Sequence, residues 1–123
     1  MFPIDFCHIP VSIIKRSAGR SAVAAAAYRS GTKLTNEWDG MTHDYTRKGG
    51  IVYAEIMLPD HAPPEFADRS ILWNSVEQIE KARDSQLARE IEAALPRELS
   101  GEQQLALVRA YVKDNFVDKG MCA

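Results

Sequence analysis

The sequence predicts an α+β fold in which helices pack on a mostly antiparallel sheet. Segments rich in β-branched and apolar residues, which favour strands, alternate with segments that carry helical periodicity and helix caps. Asp39 and Gly40 stand between two polar strand-like pieces, which is typical of a hairpin turn. With 123 residues, 46% of them hydrophobic, the chain has the size of one domain and can bury a core. The predicted order is strand, helix, hairpin, strand, helix, strand, helix.

The first half of the chain is predicted to contain a strand, a helix and a hairpin. Residues 4–14 are apolar and β-branched, which is typical of a buried strand, and residues 17–19 indicate a turn. The alanine-rich segment 21–29 predicts a helix, which Gly31 closes at a position suited to a left-handed cap. Residues 33–46 then predict the hairpin.

The second half is predicted to begin with a strand and to contain two capped helices. IVYAEIML, residues 51–58, has the clearest strand pattern of the chain. Asp68 is a good N-cap for the amphipathic helix that follows it. Ser100 and Gln103 form a capping box, which opens a last helix that runs to about Asp118.

Residues 86–95 are compatible with a strand and with a helix. Their apolar residues repeat every four positions, which permits a helix, whereas the following LPRELS indicates a strand that leaves the sheet before a new helix. In a strand, Glu90 and Glu92 point from the same face. In a helix the two carboxylates would lie about 200° apart and could not share a site. We choose the strand, partly on a resemblance described below.

Charge is divided unevenly along the chain. The net charge is −2, but residues 1–53 hold seven basic and four acidic residues, a net charge of +3, whereas the remainder carries −5. The basic residues gather around two glycine-bearing stretches, KRSAGRS and TRKGG. Such a patch on an otherwise acidic protein is a candidate footprint for phosphates. The alternative interpretation is a pair of solvated loops.

The sequence shows no targeting or membrane segment. It lacks an apolar run near the roughly 18 residues that span a bilayer, and its start lacks the pattern of a signal peptide. Cys7 and Cys122 lie near opposite ends without a CxxC spacing, so we expect two small buried residues rather than a disulfide or a zinc ribbon. These observations predict a cytoplasmic protein without a membrane partner.

Four segments, in one order, resemble a known family: GRSAVAAAAYRSG, HDYTRKGGIVYAEIMLP, LWNSVEQIEKARDSQLAREIEAALPRELS and NFVDKGM. They are similar to the N-terminal part of MobA/MobL-type, or TraA-like, conjugative relaxases of bacteria, which are single-strand DNA endonucleases of the HUH class. The resemblance implies an HUH relaxase-like sheet with helices against it. It also implies that residues 1–123 are the N-terminal portion of a single relaxase domain. Such a domain nicks one strand of plasmid DNA at the origin of transfer and stays attached to the new 5′ end.

The resemblance also implies roles for individual residues. It identifies Tyr28 as the nucleophile that attacks the scissile phosphate and forms a 5′-phosphotyrosyl bond. A phenol, with an ordinary pKa of about 10, needs a base, a metal or positive charge nearby to react at neutral pH. Glu90 falls where similar relaxases carry a general base or a supporting glutamate, and Glu92 is the second choice. Tyr45 and Tyr53 are the alternative nucleophiles.

Basic residues around the candidate nucleophile are the predicted DNA contacts. Arg29 and Lys33 are expected to hold the phosphates next to the scissile one, and Arg20, Arg47 and Lys48 complete the footprint. The expected partners are single-stranded DNA of a transfer origin and other mobilisation or conjugation proteins.

Relaxases of this type use a divalent cation, Mg²⁺ or Mn²⁺, held by a histidine cluster. The sequence has three histidines and no HxH pair: His8, expected on the first strand, and His43 and His61, expected in loops. We therefore expect no metal site in this chain, a relaxase fold that is incomplete at its C-terminus, and weak or no nicking by the chain alone. In such relaxases, the strands that carry the histidines complete the central sheet. Without them, strand edges would be exposed, which predicts self-association.

Two other functions stay open on the sequence alone. One is a non-catalytic DNA-binding module that keeps the basic N-terminal patch and acts as an accessory protein. The other is a structural fragment without activity. A covalent adduct with single-stranded transfer-origin DNA that is lost in Tyr28→Phe would distinguish the enzyme from both.

Overall fold

The computed structural model describes residues 11–80, 82 and 85–123. The predictions made for residues 4–10, which include His8 and Cys7, lie outside these residues. The helices and strands of the described chain are, in order, β1 (Val11–Lys15), α1 (Ala22–Ser30), β2 (Lys33–Thr35), β3 (Thr42–Asp44), α2 (Arg69–Ile79), β4 (Gln86–Ile91) and α3 (Gly101–Asn115). Short 3-10 turns at Arg16–Ala18, Pro64–Ala67 and Val117–Lys119 follow β1, precede α2 and follow α3.

The strands described form two antiparallel pairs. β1 pairs with β4, with Ser12 opposite Glu90 in the register. β2 pairs with β3 in a hairpin whose turn contains Gly40 in the left-handed region, at a φ of 74°. The α+β class with antiparallel strands is therefore confirmed. The strand predicted within residues 86–95 is also confirmed, although β4 ends at Ile91.

Helix α1 lies at the centre of the fold. Val23 and Ala27 are 0% exposed and pack with Leu34 of β2. Ala22 packs in a second cluster with apolar residues of β1 and β4, and Trp73 of α2 lies against both clusters. Because alanine side chains are small, the backbone of α1 approaches its neighbours closely, and a larger residue would have to displace them.

Both ends of α1 are fixed by local contacts. At its start, the Ser21 hydroxyl accepts a hydrogen bond of 3.1 Å from the Ala24 amide, as an N-cap does. At its end, Gly31 has a φ of 66°, and a Cβ at this position would come within 2.5 Å of the Ile51 side chain. Glycine satisfies both constraints, so the helix ends shortly after Tyr28.

A buried ion pair joins the start of α1 to α2. The carboxylate of Glu77, which is 1% exposed, accepts hydrogen bonds from the Ala22 amide at 2.7 Å and from Arg16 at 3.0 Å. The Arg16 guanidinium lies 4.0 Å from the centre of the Trp38 ring and also donates to backbone carbonyls at the end of α2. The first amides and the last carbonyls of a helix lack partners within that helix. The Arg16–Glu77 pair supplies such partners at the start of α1 and at the end of α2.

The strand predicted for residues 51–58 is wrong. This segment has no ladder partner among the described residues. Met57 alone exchanges backbone hydrogen bonds with Ala123, at 2.8 and 3.0 Å. Val52 is 98% exposed, and none of the apolar side chains of the segment is fully buried. Strand propensity depends on packing against neighbouring strands, and this segment has no such neighbour in the described structure.

Three smaller predictions need correction. Helix α3 ends at Asn115 rather than near residue 118, because the chain turns into a 3-10 turn that Gly120 closes with a φ of 91°. His43 lies in β3 opposite Leu34 rather than in a loop. Cys122 is half-buried rather than buried, and burial raises the pKa of its free thiol.

No helix in the described part of the chain is long and apolar enough to cross a bilayer.

Candidate active site

Tyr28 lies in the last turn of α1, at the border between a buried and an exposed surface. The preceding Ala27 is fully buried, whereas Tyr28 is 44% exposed. A tyrosine at such a border can pack its ring on the protein while its hydroxyl stays in contact with solvent. The alanine face of α1 thus brings an accessible phenol to the rim of the core.

Lys48 makes two contacts with Tyr28. Its ammonium group lies 3.5 Å from the centre of the Tyr28 ring. The same group donates a hydrogen bond of 2.9 Å to the Tyr28 carbonyl. This carbonyl belongs to the last turn of α1, where backbone acceptors lack helical partners and cations are favoured. A positive charge therefore lies against the ring of the candidate nucleophile.

Tyr45 contacts the same ring with its edge. The centres of the Tyr28 and Tyr45 rings are 5.2 Å apart, at an interplanar angle of 90°. Tyr45 is half-buried and packs on the cluster formed by Val23, Ala27 and Leu34. Of these two tyrosines, Tyr28 is the more accessible to a bound strand.

Tyr53, the other alternative nucleophile, belongs to a separate surface cluster. Its hydroxyl accepts a hydrogen bond of 2.6 Å from Arg109 of α3 and lies 3.3 Å from the Glu55 carboxylate. Arg109 also donates to Glu55 at 2.6 Å, which lowers the pKa of that carboxyl despite an opposing effect of burial. The Tyr53 hydroxyl is therefore engaged by an ion pair.

Glu90 and Glu92 both reach α1 through Arg29. The Glu90 carboxylate accepts hydrogen bonds from Arg20 at 2.8 Å and from Arg29 at 3.1 Å. Glu92, just beyond β4, accepts a second bond from Arg29 at 2.5 Å. The guanidinium of Arg29 lies 5.5 Å from the centre of the Tyr28 ring. Arg29 thus lies between the two glutamates and the tyrosine.

Two arginines shift the pKa of Glu90. Burial by itself raises the pKa of Glu90, but the hydrogen bonds and charges of Arg29 and Arg20 outweigh it, and the net pKa is lowered. The hydrogen bond to Glu90 in turn raises the pKa of Arg29. A carboxylate with a lowered pKa is a poor general base at neutral pH. Of the two roles predicted for Glu90, the contacts favour support of the neighbouring arginines.

The five predicted DNA contacts lie in three different settings. Arg20 and Arg29 are ion-paired with Glu90 of β4, and Arg29 also pairs with Glu92 just beyond it, so their charge is balanced within the protein. Lys33 lies in β2 opposite Asp44. The remaining two residues, Arg47 and Lys48, line a shallow depression of about 440 Å³ together with Asp44 and Tyr45.

The described residues do not form a site for the implied divalent cation. Across residues 11–80, 82 and 85–123, no group of three or more His, Cys, Asp or Glu side chains is arranged to hold a metal ion. His43 lies in the β2–β3 hairpin, and His61 lies next to Gly120 near the end of the chain. Because this ligand set does not fit a metal, we derive no chemical step through one.

The family of the chain follows from sequence comparison. Residues 20–123 match the model of the MobA/MobL family. The chain belongs to the MobA/MobL family, and the resemblance to TraA-like relaxases in the four quoted segments is confirmed.

Two curated relatives and one solved structure illustrate the similarity. The conjugal transfer protein TraA of Rhizobium radiobacter is 46% identical over 94% of this chain, which spans 12% of that relative. The mobilization protein MobL of Acidithiobacillus ferridurans is 49% identical over 86% of this chain, which spans 27% of it. A structure described as the molecular basis of vancomycin resistance transfer in Staphylococcus aureus superimposes with a TM-score of 0.81 at 32% identity. That match covers 87% of this chain and 55% of the other.

Sequence reasoning missed how these side chains pair. Lys48 was predicted as a phosphate contact, and its two contacts with Tyr28 span 20 positions of the chain. The pairing of Arg20 and Arg29 with Glu90 spans 70 and 61 positions. The sequence pattern contains no direct indication of such long-range pairs, although the basic residues of TRKGG were already part of the predicted phosphate footprint.

Proposed function

We propose that residues 1–123 are the N-terminal portion of a relaxase domain that nicks one strand of plasmid DNA at a transfer origin, with Tyr28 as nucleophile. Family membership and the names of the relatives, conjugal transfer and mobilization proteins, support this role. The observation that carries it is the position of Tyr28. Its exposed phenol has the cations of Lys48 and Arg29 at 3.5 and 5.5 Å from the ring centre.

In the proposed reaction, the phenol oxygen of Tyr28 attacks the scissile phosphorus. A P–O bond to the tyrosine forms, and the bond from phosphorus to the 3′ oxygen of the preceding nucleotide breaks. The phenol gives up its proton, and the departing 3′ oxygen takes one up. One phosphodiester replaces another, so the reverse reaction can rejoin the strand without ATP.

Positive charge near Tyr28 serves this chemistry in two ways. Cations at the site attract the phosphates of a bound strand, and they stabilise the negative charge that develops on the reacting oxygens. Arg47 lines the depression next to Tyr45 and is the proposed phosphate side of the site. Glu90 is proposed as a supporting residue, which holds Arg20 and Arg29 in place beside the tyrosine.

A covalent adduct tests the assignment of the nucleophile. We would incubate a labelled single-stranded oligonucleotide of a candidate transfer origin, with Mg²⁺ or Mn²⁺, with the protein expressed from the complete reading frame that contains this sequence. The expected result is an SDS-resistant adduct that Tyr28→Phe abolishes. Tyr53→Phe is the matched control, because Tyr53 is 52% exposed, close to the 44% of Tyr28.

Each other outcome changes the proposal in a defined way. An adduct that survives Tyr28→Phe and is lost in Tyr45→Phe would move the nucleophile to the neighbouring ring. Salt-dependent binding of the oligonucleotide without any adduct would instead support a non-catalytic DNA-binding module. Absence of both would leave neither function in place.

For the whole protein, we propose single-stranded DNA of a transfer origin as substrate and other mobilisation or conjugation proteins as partners. A divalent cation is the proposed cofactor, and the bacterial cytoplasm is the proposed location. Self-association through strand edges of the 123-residue chain is also a prediction, which light scattering at high protein concentration tests. A monomer with a cooperative thermal transition would contradict it.

A further inference from the structure

The segment that follows the β2–β3 hairpin is a short turn with both ends on Tyr28. The Lys48 amide donates a hydrogen bond of 3.0 Å to the Tyr45 carbonyl, which closes a four-residue turn. Tyr45 contacts the Tyr28 ring with its edge, and Lys48 contacts the ring and the carbonyl. The first and last residues of one turn thus hold the same side chain.

This turn is anchored on both sides. The Asp44 carboxylate accepts hydrogen bonds from the Thr46 amide at 3.0 Å and from the Thr46 hydroxyl at 2.6 Å. The Tyr45 amide donates to the Thr32 carbonyl at 3.1 Å, just after α1. An aspartate that binds the backbone two residues on stabilises a turn. The Tyr45–Lys48 turn is therefore tied to the end of the helix that carries Tyr28.

Lys48 and Arg29 both lie near the Tyr28 ring, but they differ in whether a carboxylate neutralises their charge. Arg29 forms ion pairs with Glu90 and Glu92, so its charge is compensated. Among the described residues, no carboxylate forms an ion pair with Lys48, which lies closer to the ring, at 3.5 Å. A cation over an aromatic face is attracted to the ring and gains further from negative charge that develops on the phenol.

We propose that Lys48 is a positioning residue for Tyr28. The Tyr45–Lys48 turn fixes the ring at the end of α1, and the Lys48 cation over that ring stabilises negative charge that develops on the phenol during attack. This inference rests on the proposed role of Tyr28 as nucleophile. It assigns Lys48 to the chemical step rather than to the binding of DNA.

Single-turnover kinetics separate these two roles. Lys48→Met removes the charge and keeps the length of the side chain, Lys48→Arg restores a cation, and Lys33→Met removes a lysine that lies in β2. The measurements are the dissociation constant of the oligonucleotide by fluorescence anisotropy and the rate of adduct formation at saturating DNA. Both use the protein from the complete reading frame.

The two lysines should show opposite patterns. Lys48→Met is expected to slow adduct formation at saturation about tenfold, with a change in the dissociation constant below about threefold, and Lys48→Arg should recover most of the rate. Lys33→Met should mainly weaken binding, with a smaller effect on the saturated rate than Lys48→Met has. If Lys48→Met weakens binding and does not slow the saturated rate, Lys48 is a phosphate contact and the proposal is overturned.

An NMR measurement reports on the contact without requiring activity. In the 123-residue chain, the Cε protons of Lys48 should be shifted upfield by the ring current of Tyr28, and Tyr28→Leu should remove this shift. If the shift is absent, the contact and the positioning role both fail. If the shift is present but the complete protein forms no adduct, the proposed function is wrong, and the positioning role that rests on it is wrong as well. If a Tyr28-dependent adduct forms at the same rate in Lys48→Met as in the wild type, the proposed function is supported and only the positioning role is overturned.

Discussion

Two arginine–glutamate networks contact α1, and they differ in depth. The network of Arg16 and Glu77 lies at the start of the helix, where the side chains are 13% and 1% exposed. The network of Glu90 with Arg20 and Arg29 lies beside the tyrosine, where the glutamate is 16% exposed and the arginines 42% and 50%. The same residue types thus occur once as a buried connection and once as a surface cluster.

The difference in depth predicts different roles for the two networks. The buried one should be structural, and in the surface one another partner can replace the carboxylate. Water cannot replace a partner that is removed from the buried network, so the remaining charge would be left unpaired in the interior. In the surface network, water or a phosphate can take the place of a carboxylate. We therefore expect the first network to determine stability and the second to influence the binding of DNA.

The largest effect is expected for the buried network. Glu77→Gln removes the charge that balances Arg16 and weakens the bond to the Ala22 amide, so we expect a loss of about 3–5 kcal/mol in the free energy of unfolding. Urea denaturation measures it. Glu98→Gln, an exposed glutamate, is the control and should change stability little. A Glu77→Gln protein as stable as the control would show that the buried pair is not what holds α1 to α2.

A smaller change in stability, with an effect on binding, is expected for the surface network. Glu90→Gln removes a negative charge that pairs with Arg20 and Arg29, so the affinity for single-stranded DNA should rise severalfold. The cost in unfolding free energy should stay below about 1 kcal/mol, because the arginines are exposed. Fluorescence anisotropy at several salt concentrations measures the affinity. Glu92→Gln, which loses one bond to Arg29 at an exposed site, should give a weaker rise. Equal or lower affinity in Glu90→Gln would mean that the glutamate does not compete with phosphate.

The smallest effect is a pH dependence of the surface network. The folded state holds the pKa of Glu90 below its ordinary value, so the ionised carboxylate contributes stability above the unfolded pKa of about 4.3. This contribution is lost as the pH falls through the lowered folded pKa. The stability difference between the wild type and Glu90→Gln should therefore shrink between neutral and acidic pH, as measured by urea denaturation at each pH. A difference that stays constant across this range would remove the ion pair as its cause.

Signals within each segment were enough to predict the helices. Whether a segment forms a strand depended on partners distant in sequence. The predicted caps Asp68 and Ser100 each lie next to the helix that they open, and each is confirmed by a hydrogen bond to a backbone amide. Segment 51–58 had the strongest strand pattern, but a pattern within one segment does not supply a neighbouring strand.

The candidate site shows the same division. Tyr28 was identified as the nucleophile through the family resemblance, to which its own helix segment contributes, and its role stays a prediction. The division of charge into a basic first part and an acidic remainder suggested a free basic surface. The fold instead brings Glu90 and Glu92 of the acidic part onto Arg20 and Arg29. Charge counted along the chain does not show which charges meet in space.

The alanine face of α1 has a consequence for how this sequence can vary. Val23 and Ala27 are completely enclosed, and Ala27 directly precedes Tyr28. A larger side chain at position 27 would push the last turn of the helix outward and carry the phenol with it. Overpacking of this core would therefore reposition the tyrosine before it unfolds the protein. In a mutational library selected for plasmid transfer, we expect position 27 to accept few residues even in hosts that tolerate a less stable protein.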